Sequence, residues 1–347
     1  MLTSPTRPRP GVPAGHPTGH PADCTAVLAE LLPYRRTLDS GHRETDMTMT
    51  VDVDVDVDVD VDMDVDMDMG TPEAYPAQLR QLAAPVAAGA PLVFTLPGFP
   101  CKSPHPAKVL GHLPDEGERL ALRFLDALCG RIEAVHPPGA RVVICSDGHV
   151  FSDLIHVADR DIDAYADALR ALIHDEGLTR LDVFDLRQVY GQRLSHDAKR
   201  ALVHDRYAPA LEDLRSLTRS DEPTRRLYQG ITRFLAEDSV SFTGTRSAWQ
   251  RDCRRRAYGV MQRSRAWGEL IGEHHPGAFR LSIHPQPRGS AKFGIRLLDA
   301  PDVWLTPWHS CVLEHRDGRR ELMHRADAER IGRLVFRQGR PSHFVAG

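Results

Sequence analysis

The sequence has 347 residues, of which 41% are hydrophobic and 27% are charged, and its formal net charge is −4. This composition is typical of a soluble globular protein with a sizeable core. It excludes a membrane-spanning protein, because no run approaches the roughly 18 to 20 apolar residues that a bilayer requires. With no secretory signal in view, we expect a cytoplasmic protein.

The first 73 residues (1–73) are predicted to be a disordered tail that does not carry the function. A Val-Asp and Met-Asp repeat places ten aspartates between Asp46 and Asp68. As a strand, the repeat would bring like charges together on one face, so we expect it to stay solvated. Within the tail, residues 26–36 are predicted to form one short helix that Pro33 interrupts.

The remaining chain is mildly basic. Residues 71–347 carry 39 Lys and Arg against 34 Asp and Glu, a net charge of +5. This charge suits an anionic small-molecule substrate. The chain has no basic stripe interleaved with aromatic residues, so we predict no nucleic-acid partner, and nothing points to a membrane partner.

A single α/β catalytic domain is predicted over residues 74–347. Strands at 92–96, 141–145 and 181–186 alternate with helices at 116–136 and 162–174. This order favours a Rossmann-like, largely parallel sheet flanked by helices. Three polar helices, at 195–217, 222–237 and 246–270, form a predicted helical insertion or lid at about 195–270. Strands at 280–284 and 293–298 and a hairpin around Asp317-Gly318 make the predicted sheet mixed.

The loop after the first strand concentrates a rare residue type. The chain has four lysines against forty arginines, and both Lys102 and Lys108 lie in this loop. Open α/β sheets place ligand sites at the carboxyl ends of strands. Lys102 and its neighbour Ser103 are therefore candidates for substrate binding, and an ordinary solvated loop is the alternative.

The second strand ends in the sequence SDGHVFSDL. Its residues Asp147, His149 and Asp153 are candidate acid/base groups, because carboxylates and imidazoles transfer protons near neutral pH. The alternative is that Ser146-Asp147-Gly148 is only a turn, with Asp147 capping the next helix.

Two later segments supply partners for these groups. His284, Arg288 and Lys292 bracket a Gly-Ser pair, and Arg and Lys together bind phosphate as a fork and a point charge. In the sequence TPWH, Trp308 and His309 could line a pocket for a planar ligand. The alternatives are a solvated hairpin loop for the first segment and a core aromatic residue for the second.

Standard cofactor motifs are missing from the sequence. It contains no Walker loop, GxGxxG, HExxH or GxSxG pattern. The six cysteines are scattered without a CxxC pair, which argues against a zinc ribbon and a disulfide framework. We therefore expect no cofactor and no metal, and chemistry carried out by side chains on reactive substrates.

Four segments in order resemble the pyoverdine/dityrosine biosynthesis family, and within it the PvcA-like isonitrile synthases. They are FPCKSP with the following KVLGHLPDEGERLALRFL (99–125), PGARVVICSDGHVFSDL (138–154), RLSIHP with Lys292 downstream (280–292), and TPWH (306–309). Each motif alone is weak, but their order and spacing make a specific signal. The resemblance covers about residues 75–340.

The resemblance implies a carbon-carbon lyase without metal or nucleotide. The α-amine of an L-amino acid, tyrosine or tryptophan, condenses with the ketone of ribulose 5-phosphate, whose carbonyl carbon becomes the isonitrile carbon. Lys102, Ser103, Arg288, Lys292 and Trp308 are then expected to bind substrate. Acid/base roles are expected for Lys102, Asp147, His149, Asp153, His284 and His309.

The resemblance also implies a separate iron/2-oxoglutarate oxygenase acting next in the same pathway. Two other functions stay open from the residues alone. One is a pentose-phosphate aldolase-like lyase, and the other is a non-catalytic protein that binds a sugar phosphate or an amino acid.

Overall fold

The computed structural model describes residues 24–36, 70–286, 288–301 and 305–347. The Val-Asp and Met-Asp repeat lies outside these residues. The described helices are α1 (Cys24–Leu31), α2 (Pro76–Ala87), α3 (Glu116–Val135), α4 (Gly148–Ile155), α5 (Asp159–Asp175), α6 (Leu186–Tyr190), α7 (His196–Tyr207), α8 (Leu211–Ser220), α9 (Glu222–Asp238), α10 (Arg246–His274) and α11 (Arg325–Ile331). The strands are β1 (Leu92–Pro97), β2 (Ala140–Cys145), β3 (Leu181–Phe184), β4 (Phe279–Ser282), β5 (Phe293–Gly294), β6 (Cys311–Glu314), β7 (Arg320–Met323), β8 (Gly332–Arg337) and β9 (Arg340–Ala346).

The main sheet is parallel throughout, in the order β3-β2-β1-β4-β5. The predicted Rossmann-like α/β fold, a largely parallel sheet flanked by helices, is confirmed. One detail differs from the prediction of a single mixed sheet. The C-terminal strands form a second sheet, β7-β6-β9-β8, in which β6 pairs antiparallel with β7 and parallel with β9.

Successive side chains of β2 point to opposite faces of the main sheet, so the core has two layers. Val142 and Ile144 pack into the cluster that contains the apolar side of α3, whereas Val143 and Cys145 pack with residues of α10. A parallel strand needs apolar residues on both faces because helices cover both sides of the sheet. This requirement explains why β2 reads as an unbroken apolar run.

The predicted helical insertion corresponds to α7–α10. Its first predicted helix, 195–217, is two helices, α7 and α8, separated by Pro209, which cannot donate a backbone hydrogen bond. Trp267 of α10 is 1% exposed and stacks on Phe184 of β3 at a ring distance of 5.6 Å. The helical insertion is therefore packed against the main sheet. None of the described helices is long and apolar enough to cross a membrane.

The predicted disordered tail contains a folded piece. Residues 24–36 form α1 and a 3₁₀ turn that begins at the predicted interruption, Pro33. Val27, Leu28 and Leu31 are fully buried in the main core. Arg36 donates to the backbone carbonyls of Ile283 and, at 2.9 Å, Leu305. The folded body thus includes residues before the predicted boundary at 74, because α1 supplies an apolar face to the core.

Gly148, the first residue of α4, lies against the loop that follows β1. A Cβ atom at this position would stand 2.1 Å from the carbonyl oxygen of Pro100. No side chain fits in that space. The close approach brings the end of β2 next to the end of β1.

Replacing Gly148 with Ala should lower the free energy of unfolding by about 1–3 kcal/mol, because the added methyl group overpacks the α4 start. Gly272→Ala is the matched control, since nothing lies within 4 Å of the corresponding Cβ position in α10. We expect the control to be neutral or stabilising by about 0.4–1 kcal/mol. Urea unfolding of both variants measures the difference, and equal stabilities would contradict this interpretation.

Candidate active site

The order of the main sheet defines where a cleft opens. Strands β2 and β3 lie on one side of β1 in the sheet, and β4 and β5 lie on the other, so the strand order reverses between β1 and β4. Ligands of such sheets bind at the carboxyl ends of the two strands that flank this point. The loops that leave these ends are residues 98–115 and 283–292. They are the two segments in which the sequence predicted substrate-binding residues.

The first loop begins with a strained residue. Phe99 has a φ of 53°, in the left-handed region that bulky residues rarely adopt, and it is fully buried. Its ring contacts Trp308 at a centroid distance of 5.0 Å, and its carbonyl accepts from the Ser146 hydroxyl at 2.9 Å. Such strain persists only where the surroundings enforce it, so this loop has a fixed course.

Lys102 does not fit the predicted phosphate-binding or acid/base role. Its ammonium is buried and lies 2.8 Å from both the Asp115 and the Glu118 carboxylates. It also donates to the Pro307 carbonyl at 2.8 Å. The contact with Pro307 is a hydrogen bond, and the contacts with the two carboxylates are ion pairs. Burial raises the pKa of Glu118 to about 7. Lys102 is therefore a structural cation.

Ser103 and Lys108 connect the same loop to the helical insertion. The Ser103 hydroxyl donates to Asp238 Oδ2 at 2.9 Å, and Lys108 Nζ contacts Asp238 Oδ1 at 2.8 Å and Glu237 Oε2 at 2.9 Å. Asp238 is the last residue of α9. Ser103 therefore fastens the insertion, and its hydroxyl is already engaged rather than free for substrate.

Asp147 has the properties expected of an acid/base group. Although it stands at the N-cap position of α4, its side chain makes no capping hydrogen bond, so the capping alternative is not what the structure shows. Its Oδ1 atom is buried and has no hydrogen-bond partner among the described residues. Burial raises the pKa of Asp147 to about 7. This carboxyl changes its protonation state in the neutral range.

His284 and His309 are close enough to influence each other's charge. Desolvation by the surrounding protein lowers the pKa of each to about 4. Both imidazoles are therefore neutral at pH 7.

Lys292 lies near two arginines. Its pKa is lowered by desolvation and then by the charges of Arg280 and Arg265. Within the part of the chain that the structure describes, none of the three forms a salt bridge with a carboxylate, although the charge of Arg265 lowers the pKa of Asp221. An anion would relieve the repulsion within this cation cluster, Arg265-Arg280-Lys292.

Three of the predicted site residues lie elsewhere. Asp153 forms an ion pair with Arg263, with its Oδ2 2.8 Å from NH2. His149 is 3% exposed and faces Asp163. Trp308 is 1% exposed beneath Gly98, so it is a core residue rather than a pocket wall. Arg288 lies half-buried in the second loop.

Sequence reasoning missed Arg265, Arg280 and Asp238. Arg280 opens the segment RLSIHP and is the second residue of β4. Arg265 and Asp238 belong to polar helices of the insertion, where charged residues are ordinarily solvated. Only the packing of the insertion against the sheet brings them to the cleft.

The fold is a Rossmann-like α/β fold, and charged and titratable residues follow the strands at the switch point of its main sheet. The sequence matches the family described as pyoverdine/dityrosine biosynthesis protein over residues 82–334. The chain belongs to this family.

Relatives with assigned activities cover most of the chain. An L-tyrosine isonitrile synthase of Pseudomonas aeruginosa is 47% identical over 273 residues, spanning 77% of this chain and 83% of the relative. An L-tryptophan isonitrile synthase of Fischerella ambigua is 40% identical, spanning 74% and 78%. The crystal structure of PvcA from Pseudomonas aeruginosa superposes with a TM-score of 0.81 at 42% identity, covering 93% of this chain and 99% of that one.

Replacing Lys102 with Met should lower the free energy of unfolding by about 3–5 kcal/mol, because two buried carboxylates lose their cation. Lys292→Met is the matched control. Since Lys292 is exposed and has no acidic partner in the described residues, we expect a change within about 0.5 kcal/mol. Chemical denaturation tests the pair, and a stable Lys102→Met protein would show that the buried ion pairs are dispensable.

Proposed function

We propose that this chain is an isonitrile synthase that condenses the α-amine of an L-amino acid, tyrosine or tryptophan, with ribulose 5-phosphate. The names of its relatives support the type of enzyme. The observations that carry the proposal are the proximity of Arg265, Arg280 and Lys292, which form no salt bridge in the described residues, and the buried, unsatisfied Oδ1 atom of Asp147 after β2. A phosphorylated ketose needs both an anion site and acid/base groups.

The cation cluster is the proposed site for the phosphate. Arg280 and Arg265 can each offer a fork of donors and Lys292 a point charge, which together match a phosphate dianion. The same cluster would also accept the carboxylate of the amino acid. Of the substrate-binding residues expected from the sequence, Lys292 keeps this role, while Lys102 and Ser103 are engaged with protein partners.

Asp147 is the proposed principal acid/base group. Condensation needs a proton removed from the amine as it attacks the ketone carbon, and a proton delivered to the oxygen that leaves as water. A carboxyl with a pKa near 7 can do both in turn. Neutral His284 and His309 are further acceptors on the opposite side of the cleft.

The bonding of the product accounts for the proposed carbon-carbon lyase class. A ketone carbon carries two carbon–carbon bonds, whereas an isonitrile carbon is bonded only to nitrogen. Both carbon–carbon bonds must therefore break as the sugar fragments. The proposal involves small-molecule substrates only, no added cofactor, and a cytoplasmic location.

The direct test is to incubate the protein with ribulose 5-phosphate carrying ¹³C at its carbonyl carbon and with a panel of amino acids. We expect a product with an isonitrile infrared band that shifts with the label, and a matching mass. Cleavage of the sugar without an amino acid would instead support an aldolase-like lyase. Binding of either substrate without any product would support a non-catalytic binding protein.

Substituting Lys292 with Met should raise the KM for ribulose 5-phosphate at least tenfold, with a smaller effect on the KM for the amino acid, because a phosphate contact is lost. Arg316→Met, in the exposed hairpin turn, is a control of equal charge change and should leave both constants unchanged. Equal KM values in Lys292→Met and wild type would remove this residue from the phosphate site.

Replacing Asp147 with Asn should lower kcat/KM by at least a hundredfold, because the amide cannot accept the proton. In the wild type, kcat/KM should fall as the pH drops below about 7, since protonation of Asp147 removes the base. The residual activity of Asp147→Asn should lack this acidic limb. A variant that retains the wild-type pH profile would assign the limb to another group.

A further inference from the structure

A second group of polar side chains lies outside the cleft, where three helices meet. His149 belongs to the first turn of α4, Asp163 to α5, and His196 is the first residue of α7. One carboxylate faces both rings. His149 Nε2 is 3.1 Å from Asp163 Oδ1, and His196 Nε2 is 3.3 Å from Asp163 Oδ2.

The distances match those between ligands of one metal ion. Bonds of about 2.1 Å to nitrogen and oxygen place tetrahedral donors about 3.4 Å apart. The three ligand atoms lie within 4.8 Å of one another. His149 is 3% exposed, and its Nε2 atom is buried and has no hydrogen-bond partner among the described residues. The 3.1 Å contact with Asp163 is not a hydrogen bond, so this Nε2 atom has unused bonding capacity directed at the group.

The local charge also favours a cation. Arg187 lies 3.7 Å from Asp163 and pairs with Asp167 and Asp185, and Arg170 pairs with the same two aspartates. Three aspartates thus share two arginines, which leaves one negative charge unbalanced.

We propose that His149, Asp163 and His196 form a binding site for a divalent transition-metal ion of the zinc class. Two imidazoles and one carboxylate are donors that such ions prefer. The rings are stacked at 3.9 Å with 2° between their planes. Since a ring nitrogen binds metal in the plane of its ring, one imidazole turns out of the stack when the ion binds.

The position of the site assigns the ion a structural task. His196 begins α7, the first helix of the insertion, whereas His149 and Asp163 belong to the helices that cover the sheet. One turn further along α7, Arg200 joins the same elements through Asp159 at 2.8 Å and the His149 carbonyl at 3.3 Å. The ion would form a second connection between α7 and the helices α4 and α5, at the start of the insertion.

The test uses the full chain, stripped with a chelator and titrated with Co²⁺, whose visible absorption is intense only in sites of low coordination number. We expect one Co²⁺ per chain with intense bands, displaced by Zn²⁺. His196→Gln and Asp163→Asn should each weaken binding at least tenfold. His204→Gln, an exposed histidine on the same helix, is the control and should bind as wild type does.

A thermal unfolding series gives an independent measure. Zn²⁺ should raise the melting temperature of wild type and His204→Gln but not of His196→Gln, because an ion bound only to the folded state stabilises it. Weak absorption that is the same in all variants would mean that ions bind only to other groups, such as the acidic repeat. That result, or equal affinities in wild type and His196→Gln, would overturn the proposal.

Discussion

The buried ammonium of Lys102 fixes the relative positions of three parts of the chain. It holds Asp115 and Glu118 at the start of α3 and the carbonyl of Pro307 before the second sheet. Removing these charges from water costs several kcal/mol per ion, and close contacts in a dry interior offset this cost. The loop after β1 therefore has one course, and the groups that line the cleft are placed on either side of it.

The cleft separates two kinds of unsatisfied charge. Its β4 side carries cations that form no salt bridge in the described residues, and its β2 side carries a carboxyl group whose buried Oδ1 atom has no hydrogen-bond partner there. If Asp147 lay beside Lys292, each would neutralise the other and both would be unavailable to a ligand. Their separation keeps the pKa of the carboxyl high and leaves the positive charge for an anion.

The sequence predicted those elements that depend on patterns within a short stretch of chain. Parallel strands, the amphipathic α3 and the strand-end loops follow from periodicity and turn residues. The role of Lys102 could not be predicted, because a buried and a substrate-facing lysine have the same sequence pattern. The sequence could not decide whether Trp308 lines a pocket or packs in the core, because its contacts with Gly98 and Phe99 depend on the folded structure. The helix within residues 26–36 was predicted correctly, but its place in a disordered tail was not, because the apolar partners that it packs on lie beyond the Val-Asp and Met-Asp repeat.

The contacts of Arg36 have a consequence for how the molecule is made. Its guanidinium bonds to carbonyls 247 and 269 residues later in the chain. Contacts between such distant residues form slowly, because a long loop must close first. During synthesis, α1 can pack on α2 and α3 as soon as these helices have formed, whereas Arg36 reaches its partner carbonyls only after residue 305 has been made. The segment that follows α1 therefore stays without its final partners for most of translation, when an unfinished protein is most open to aggregation.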